Sequence, residues 1–269
     1  MRLPYELIVT SASRPHLLEQ TLLTLAEMMD QLPRLVTVHD DAVFPGKEAE
    51  VRLTAERHFP GSRIVCHDPP IGLGPALYQL IRDVRTDYVL YSQDDFETIR
   101  GLPIRLALEV MEQHGINQIR FNKRRTMDRK GDFVKCERFF RTTRRLEGGE
   151  TIAESLPLTV ADHWYFQTGL WRTSTIWAVL DWWKGWGPGI FAEHAEAKIN
   201  AALNGEMARE GFPSRYFPVE VMPPAHWNDP KLRAEIAKTF IWGRIGDAPF
   251  ISHIGTNPED WALKRRRDN

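Results

Sequence analysis

Tyr88-Val89-Leu90-Tyr91-Ser92-Gln93-Asp94-Asp95-Phe96-Glu97 is the stretch that decides the fold, because an apolar run ends in it abruptly in two adjacent carboxylates. Residues of Val, Leu, Tyr and Ser character predict a buried strand. Carboxylates just past its end would lie at the carboxyl edge of a parallel sheet, where open α/β folds bind ligands. Neighbouring side chains alternate in extended chain, so one of Asp94 and Asp95 is expected to face the crevice and the other to turn into the loop. Such hard oxygen ligands suit Mg2+ or Mn2+ held together with a phosphate-bearing substrate. Taken alone, the same pattern also describes a strand followed by a solvated acidic turn.

Upstream of this stretch the chain alternates strands and helices. Glu6-Leu7-Ile8-Val9-Thr10 predicts a first strand, followed by the polar turn Ser11-Ala12-Ser13-Arg14-Pro15. Leu18, Leu22, Leu25 and Met29 then recur every three or four residues, which predicts an amphipathic helix from Pro15 to Asp30 with Ser13 as N-cap. A second strand, Leu35 to His39, ends in Asp40-Asp41. A helix from Lys47 to His58 and a third strand from Arg63 to His67 come next. The turn Asp68 to Gly74 leads into a helix from Pro75 to Val84. These spacings predict right-handed βαβ units and a mostly parallel sheet.

Downstream the rhythm loosens. Helices are expected over Pro103 to His114, Thr173 to Trp183 and Ala192 to Asn204, and a strand over Ile116 to Phe121. A hairpin strand is expected over Val134 to Phe140. Leu158-Thr159-Val160 and Tyr165-Phe166-Gln167 flank the polar pair Asp162-His163. The whole fits one α/β domain, a nucleotide-binding half over 1–100 and an acceptor half over 101–257, with a basic tail at 258–269.

The composition, 42% hydrophobic and 26% charged, is that of an ordinary globular protein. Two widely separated cysteines, Cys66 and Cys136, form no metal spacing, and no segment resembles a signal peptide or a membrane span. A reduced, cytoplasmic protein is the expectation. The net charge of −1 conceals a strong local asymmetry. Between Arg120 and Arg145, eleven basic residues, Arg124 and Arg125 among them, stand against three acids, a local charge of +8. A neutral acceptor gives no reason for this charge, whereas DNA with hydroxymethylated bases, RNA or another phosphate-bearing polymer does. Arginine predominates, which suits bidentate phosphate contacts.

Four strand ends bring polar groups to one edge: Thr10 to Arg14, Asp40-Asp41, Asp68 to Gly74, and Gln93 to Asp95. Acids after the second strand can accept hydrogen bonds from a ribose or a base. Gly72 permits close backbone approach, and the helix start near Pro75 favours negative charge. The Gly72-Leu73-Gly74 fragment lacks the dinucleotide fingerprint and no Walker A lysine motif is present, which disfavours a Rossmann dehydrogenase or a P-loop kinase.

In this order the chain resembles the GT-A glycosyltransferases, in particular the family 2-like inverting enzymes. Thr10-Ser11-Ala12-Ser13-Arg14-Pro15 is similar to their first turn, Asp40 or Asp41 to their second-strand acid, and Gln93-Asp94-Asp95 to their Asp-x-Asp metal motif, with Gln93 replacing the first acid. The segment Trp164 to Arg172 resembles the part that closes the sheet beneath the acceptor site. Ser252-His253-Ile254-Gly255 resembles the C-terminal segment whose histidine completes the metal shell. The resemblance implies a Rossmann-like, mostly parallel sheet flanked by helices and transfer of a sugar from a nucleotide-sugar donor, a UDP-sugar, to an acceptor hydroxyl with inversion. It implies Mn2+ or Mg2+ on Asp95 and His253 as Lewis acid. Glu193 is implied as general base, with His194 and Asp162 as alternatives. The nucleotide falls to Thr10, Arg14, Asp41, Gly72 and Asp94, and the acceptor to Arg124, Arg125, Trp164 and Arg172.

Two other classes compete. A nucleotidyltransferase shares the sheet and the acids, but its glycine-rich basic loop after the first strand is represented here by Arg14 alone. A catalytically silent nucleic-acid-binding protein would keep the basic segment and have no need of Asp95.

Overall fold

The computed structural model describes residues 3–42, 44, 46–121, 137–145, 151–160, 167–184, 238–244 and 247–255. The alternating half of the sequence builds four parallel strands, β1 (Glu6–Ser11), β2 (Val36–Asp41), β3 (Arg63–His67) and β4 (Tyr88–Gln93). Every residue of β1 is buried, as a strand covered on both faces requires. On one face, Leu18, Leu22 and Leu25 of α1 (Pro15–Met28) and Val51 and Ala55 of α2 (Glu48–His58) pack on Leu7, Val9, Val36 and Val38. On the other, Leu77, Leu80 and Ile81 of α3 (Leu73–Asp83) pack with Ile8, Val89 and Tyr91. Each fully buried aliphatic side chain there contributes about 1.5–3 kcal/mol.

Beyond β4 come β5 (Phe96–Thr98), α4 (Ile104–His114), β6 (Gln118–Arg120), β7 (Glu137–Arg145), β8 (Thr151–Val160), β9 (Gly169–Arg172), α5 (Thr173–Lys184), β10 (Thr239–Trp242) and β11 (Ile251–His253). Among the described residues the main sheet has nine strands, in the order β3-β2-β1-β4-β9-β6-β10-β8-β7. β9 enters antiparallel between β4 and β6, so the mostly parallel half passes into a mixed one. A separate ribbon pairs β11 with β5, His253 opposite Phe96.

Four details depart from the sequence reading. Residues 96–98, read as part of an acidic loop, form β5 because a distant segment, β11, supplies its hydrogen-bond partner. The hairpin strand runs to Arg145, later than Val134 to Phe140, because its register with β8 continues from Glu137 opposite Thr159 to Arg145 opposite Thr151. Helix α1 stops at Met28, since Met29 is extended and bridges Leu102. Ser13 caps nothing: its backbone is left-handed, with φ at 57°, and its hydroxyl is taken by Asp40, leaving Arg14 at the cap position.

Candidate active site

The carboxyl edge of the parallel strands is built by acids that tie neighbouring loops together. Asp40, fully buried at the end of β2, accepts from the Ser13 amide at 2.6 Å and the Ser13 hydroxyl at 3.0 Å, which fixes the β1–α1 turn. Burial pushes its carboxyl pKa up, and the Ser13 hydrogen bonds pull against that rise. Asp41 turns the other way and accepts from the amides of Ile71 at 2.6 Å and Gly72 at 2.9 Å. Gly72, with φ at 86°, provides the left-handed entry to α3 that other residues adopt only under strain.

Asp94 and Asp95 form the turn between β4 and β5, and there their side chains diverge. Asp94 faces back to the β1–α1 turn, where it accepts from the Ser11 hydroxyl and the Ala12 amide, both at 3.1 Å, and from Nε and Nη2 of Arg14. Thr21 Oγ1 donates to the Asp94 carbonyl at 2.8 Å, so the acidic turn is also pinned to α1. Asp95 faces β11: its Oδ2 lies 3.3 Å from His253 Nε2 and 3.2 Å from Arg14 Nη2, and its carbonyl accepts from the Ile254 amide at 2.8 Å. The Arg14 guanidinium thus bridges two carboxylates. Burial alone would lower its pKa, but the charges and hydrogen bonds of Asp94 and Asp95 raise it, so Arg14 stays a cation.

A divalent ion fits this corner. Asp95 Oδ1 is buried without a hydrogen-bond partner, a costly arrangement that a bound cation relieves. The carboxylate is the hard oxygen donor that Mn2+ and Mg2+ take, and the imidazole nitrogen adds a borderline donor that Mn2+ accepts more readily than Mg2+. Asp95 Oδ2 and His253 Nε2 lie 3.3 Å apart, so the two side chains would hold one ion between them. Gly255 lets the corner close: a Cβ there would lie 2.7 Å from Asp95 Cβ and 2.9 Å from Oδ2. Among the described residues no cluster of three or more His, Cys, Asp or Glu forms, so Asp95 and His253 are a two-residue donor set.

A cavity of about 150 Å3 opens beside this corner, lined by Thr10, Arg14, His39, Asp41, Gln93 and Asp94 among others. Gln93 stands where an acid was expected, and its amide donates to the Tyr91 hydroxyl at 3.2 Å, which also meets Thr10 Oγ1 at 3.1 Å. Nothing in the sequence marks His39, yet it is fully buried, stacks on His67 at 5.0 Å and has no hydrogen-bond partner at either ring nitrogen. Burial, and secondarily His67, lowers its pKa to about 4, so the ring is neutral. A larger cleft of about 970 Å3 between α1 and α2 borders the same corner through Ser13, Arg14 and Ile254.

Six of the residues chosen from sequence thus share one edge: Thr10, Arg14, Asp41, Asp94, Asp95 and His253, with Gly72 on the adjoining loop. Arg172 does not join them. It stacks on Tyr88 at 5.1 Å and donates to the carbonyls of Ile116 and Met111, because antiparallel β9 carries its last residue to the beginning of β4. Glu193, His194, Asp162, Trp164, Arg124 and Arg125 lie outside the described residues.

Comparison with solved structures agrees with this architecture. The chain is similar to S. aureus TarS 1–349, with a TM-score of 0.50 at 12% identity, over 98% of this chain and 64% of that one. The same values hold for that protein in complex with UDP. A mannosyltransferase from Pyrobaculum calidifontis, in complex with GDP-Man and Mn2+, overlaps 46% of this chain and 36% of its own at 23% identity and a TM-score of 0.40. The chain therefore spans less than two thirds of the TarS fragment it resembles over nearly its whole length. No protein-family model and no curated protein matches it. The fold is GT-A-like: a large Rossmann-like sheet flanked by helices.

Proposed function

We infer that this chain is a glycosyltransferase that moves a sugar from a nucleotide-sugar donor, a UDP-sugar, to an acceptor hydroxyl, with inversion and with the help of Mn2+ or Mg2+. The observation that carries the reading is the meeting of Asp95 and His253, 158 positions apart in sequence and 3.3 Å apart in space, at the carboxyl edge of the parallel strands. Open α/β sheets bind ligands at that edge, which supports a donor nucleotide there. The TarS complex with UDP supports the uridine assignment.

In this reading Asp95 and His253 would hold the divalent ion, which when bound supplies Lewis-acid neutralisation of the leaving diphosphate. The chain's own groups do the rest. Arg14, cationic and fixed by Asp94, sets a second positive charge beside the same acids. The cavity bounded by Thr10, His39, Asp41 and Gln93 takes the nucleoside. Asp41 fixes the loop that leads into α3 by accepting from the Ile71 and Gly72 amides, which sets one wall of that cavity. Glu193, or in its place His194 or Asp162, takes the proton of the attacking hydroxyl in a single displacement. The acceptor is a hydroxyl carried by a polyanion such as DNA with hydroxymethylated bases, a reading supported by the +8 charge of residues 120–145. A nucleotidyltransferase fits less well, because the β1–α1 turn carries a single basic residue, Arg14, where that class has a glycine-rich basic loop.

The test is release of nucleoside diphosphate, and transfer, across a panel of nucleotide sugars with Mn2+. UDP-sugars are expected to be used, and Asp95→Ala to abolish turnover. Turnover of no donor, or full activity in Asp95→Ala, overturns the reading.

A further inference from the structure

We propose that one face of the β7–β8 hairpin is a binding platform for a nucleic-acid strand with unpaired bases, resting on and sharpening the reading of a polyanionic acceptor. Among the described residues β7 is the outermost strand of the nine-stranded sheet, with a strand paired to one edge only. Residues 139 and 141 point to the same face, two positions apart on an extended strand. There Phe139 is 57% exposed, although a phenyl ring is ordinarily withdrawn from water. Arg141 beside it is exposed, and the guanidinium of Arg244, which follows β10, lies 5.8 Å from the centre of the Phe139 ring.

On β8 the residues opposite this face are Pro157 and Ser155, neither of them charged. Neither Arg141 nor Arg244 forms an ion pair among the described residues. A solvated charge run normally mixes signs. Here an exposed aromatic ring sits between two arginines, with Glu137 at a position on the same face and Asp247 held by the Arg244 amide at 2.6 Å as the neighbouring acids, in a segment whose overall charge is +8. That is the chemistry of single-strand recognition: the ring stacks on a base, which every base permits, and the arginines neutralise the flanking phosphates. A polymer without bases would have use for the arginines and none for Phe139, so the observations favour nucleic acid. At about 3.3 Å per residue, the nine residues of β7 span roughly 30 Å, room for several nucleotides.

The experiment is fluorescence anisotropy of the full chain with a labelled oligo(dT) strand, titrated from 50 to 200 mM salt, with and without inorganic polyphosphate at equal phosphate concentration. Binding that weakens steeply with salt is expected. Phe139→Ala should weaken it about 5- to 100-fold. Arg141→Gln and Arg244→Gln should each reduce the slope of log K against log salt by about 0.7. Arg138→Gln removes the same charge from the opposite face of β7 and should matter distinctly less. Equal effects of Arg138→Gln and Arg141→Gln overturn the assignment of this face. Unchanged affinity in Phe139→Ala, or full displacement by polyphosphate at equal phosphate concentration, shows a platform for polyanions in general and overturns the nucleic-acid proposal. Absence of salt-dependent binding overturns it as well. Hydrolysis of the donor sugar, measured on the same variants, reports separately whether the chain is a glycosyltransferase at all.

Discussion

Replacing Arg14 by Met should be among the most damaging single changes to the folded state. The Arg14 and Asp94 side chains are 11% and 2% exposed, so the pair sits in a medium that screens it poorly. Without the guanidinium, the side-chain partners left among the described residues are the Ser11 hydroxyl and the Ala12 amide for Asp94, and His253 for Asp95. Removing one partner of a buried ion pair strands the other charge and costs about 3–5 kcal/mol. At about 2–4 °C per kcal/mol for a chain of this size, the melting temperature should fall by roughly 6–20 °C. The sign with pH is also fixed. Burial raises the pKa of Asp94 and Arg14 opposes that rise, so loss of Arg14 raises it further. An acid whose folded pKa is raised destabilises the protein as pH climbs through that pKa. The deficit of the variant should therefore be largest at neutral pH and shrink in acid, where Asp94 is protonated. Urea denaturation at pH 7 and pH 5 measures both effects, and a double-mutant cycle with Asp94→Asn isolates the pair, with a coupling of about 2 kcal/mol or more. A loss below about 1 kcal/mol at pH 7, or a coupling near zero, refutes the idea that this pair organises the turn.

Neutral His39, its pKa lowered to about 4 by burial, should make the fold lose up to about 3 kcal/mol as pH falls from 6.5 towards 4, because the unfolded chain takes up the proton first. His39→Leu should remove about one proton from that dependence, and an unaltered stability profile between pH 7.5 and 4.5 contradicts it. Gly255→Ala drives a methyl group to 2.7 Å from Asp95 Cβ. It should cost about 1–3 kcal/mol and abolish stabilisation by Mn2+ in thermal-shift measurements with UDP present. Asp41→Ala leaves the Ile71 and Gly72 amides without their acceptor and should cost about 1–3 kcal/mol in chemical denaturation, with a higher donor KM. Asp41→Asn, which retains one acceptor oxygen, should recover part of both.

The sequence by itself determined the parallel half. Period-two and period-3.6 patterns are local, so β1 to β4 and the helices between them could be read from spacing, and with them the edge where Thr10, Arg14, Asp41, Asp94 and Asp95 gather. Only the tertiary structure decided what these polar groups do. Whether an acid faces a ligand or ties a loop depends on donors that come from other elements. Asp41 proves to hold the Ile71–Gly72 turn, Asp40 holds Ser13, and Asp94 holds Arg14. His253 illustrates the same limit. As a lone histidine in an apolar run it carries no signal of its own, and its place at Asp95 is set by the pairing of β11 with β5. Arg172 lies away from the other residues for the converse reason: the direction of β9 is settled by strands on either side of it, distant in the chain, and an antiparallel insertion reverses which end of the sheet its last residue reaches.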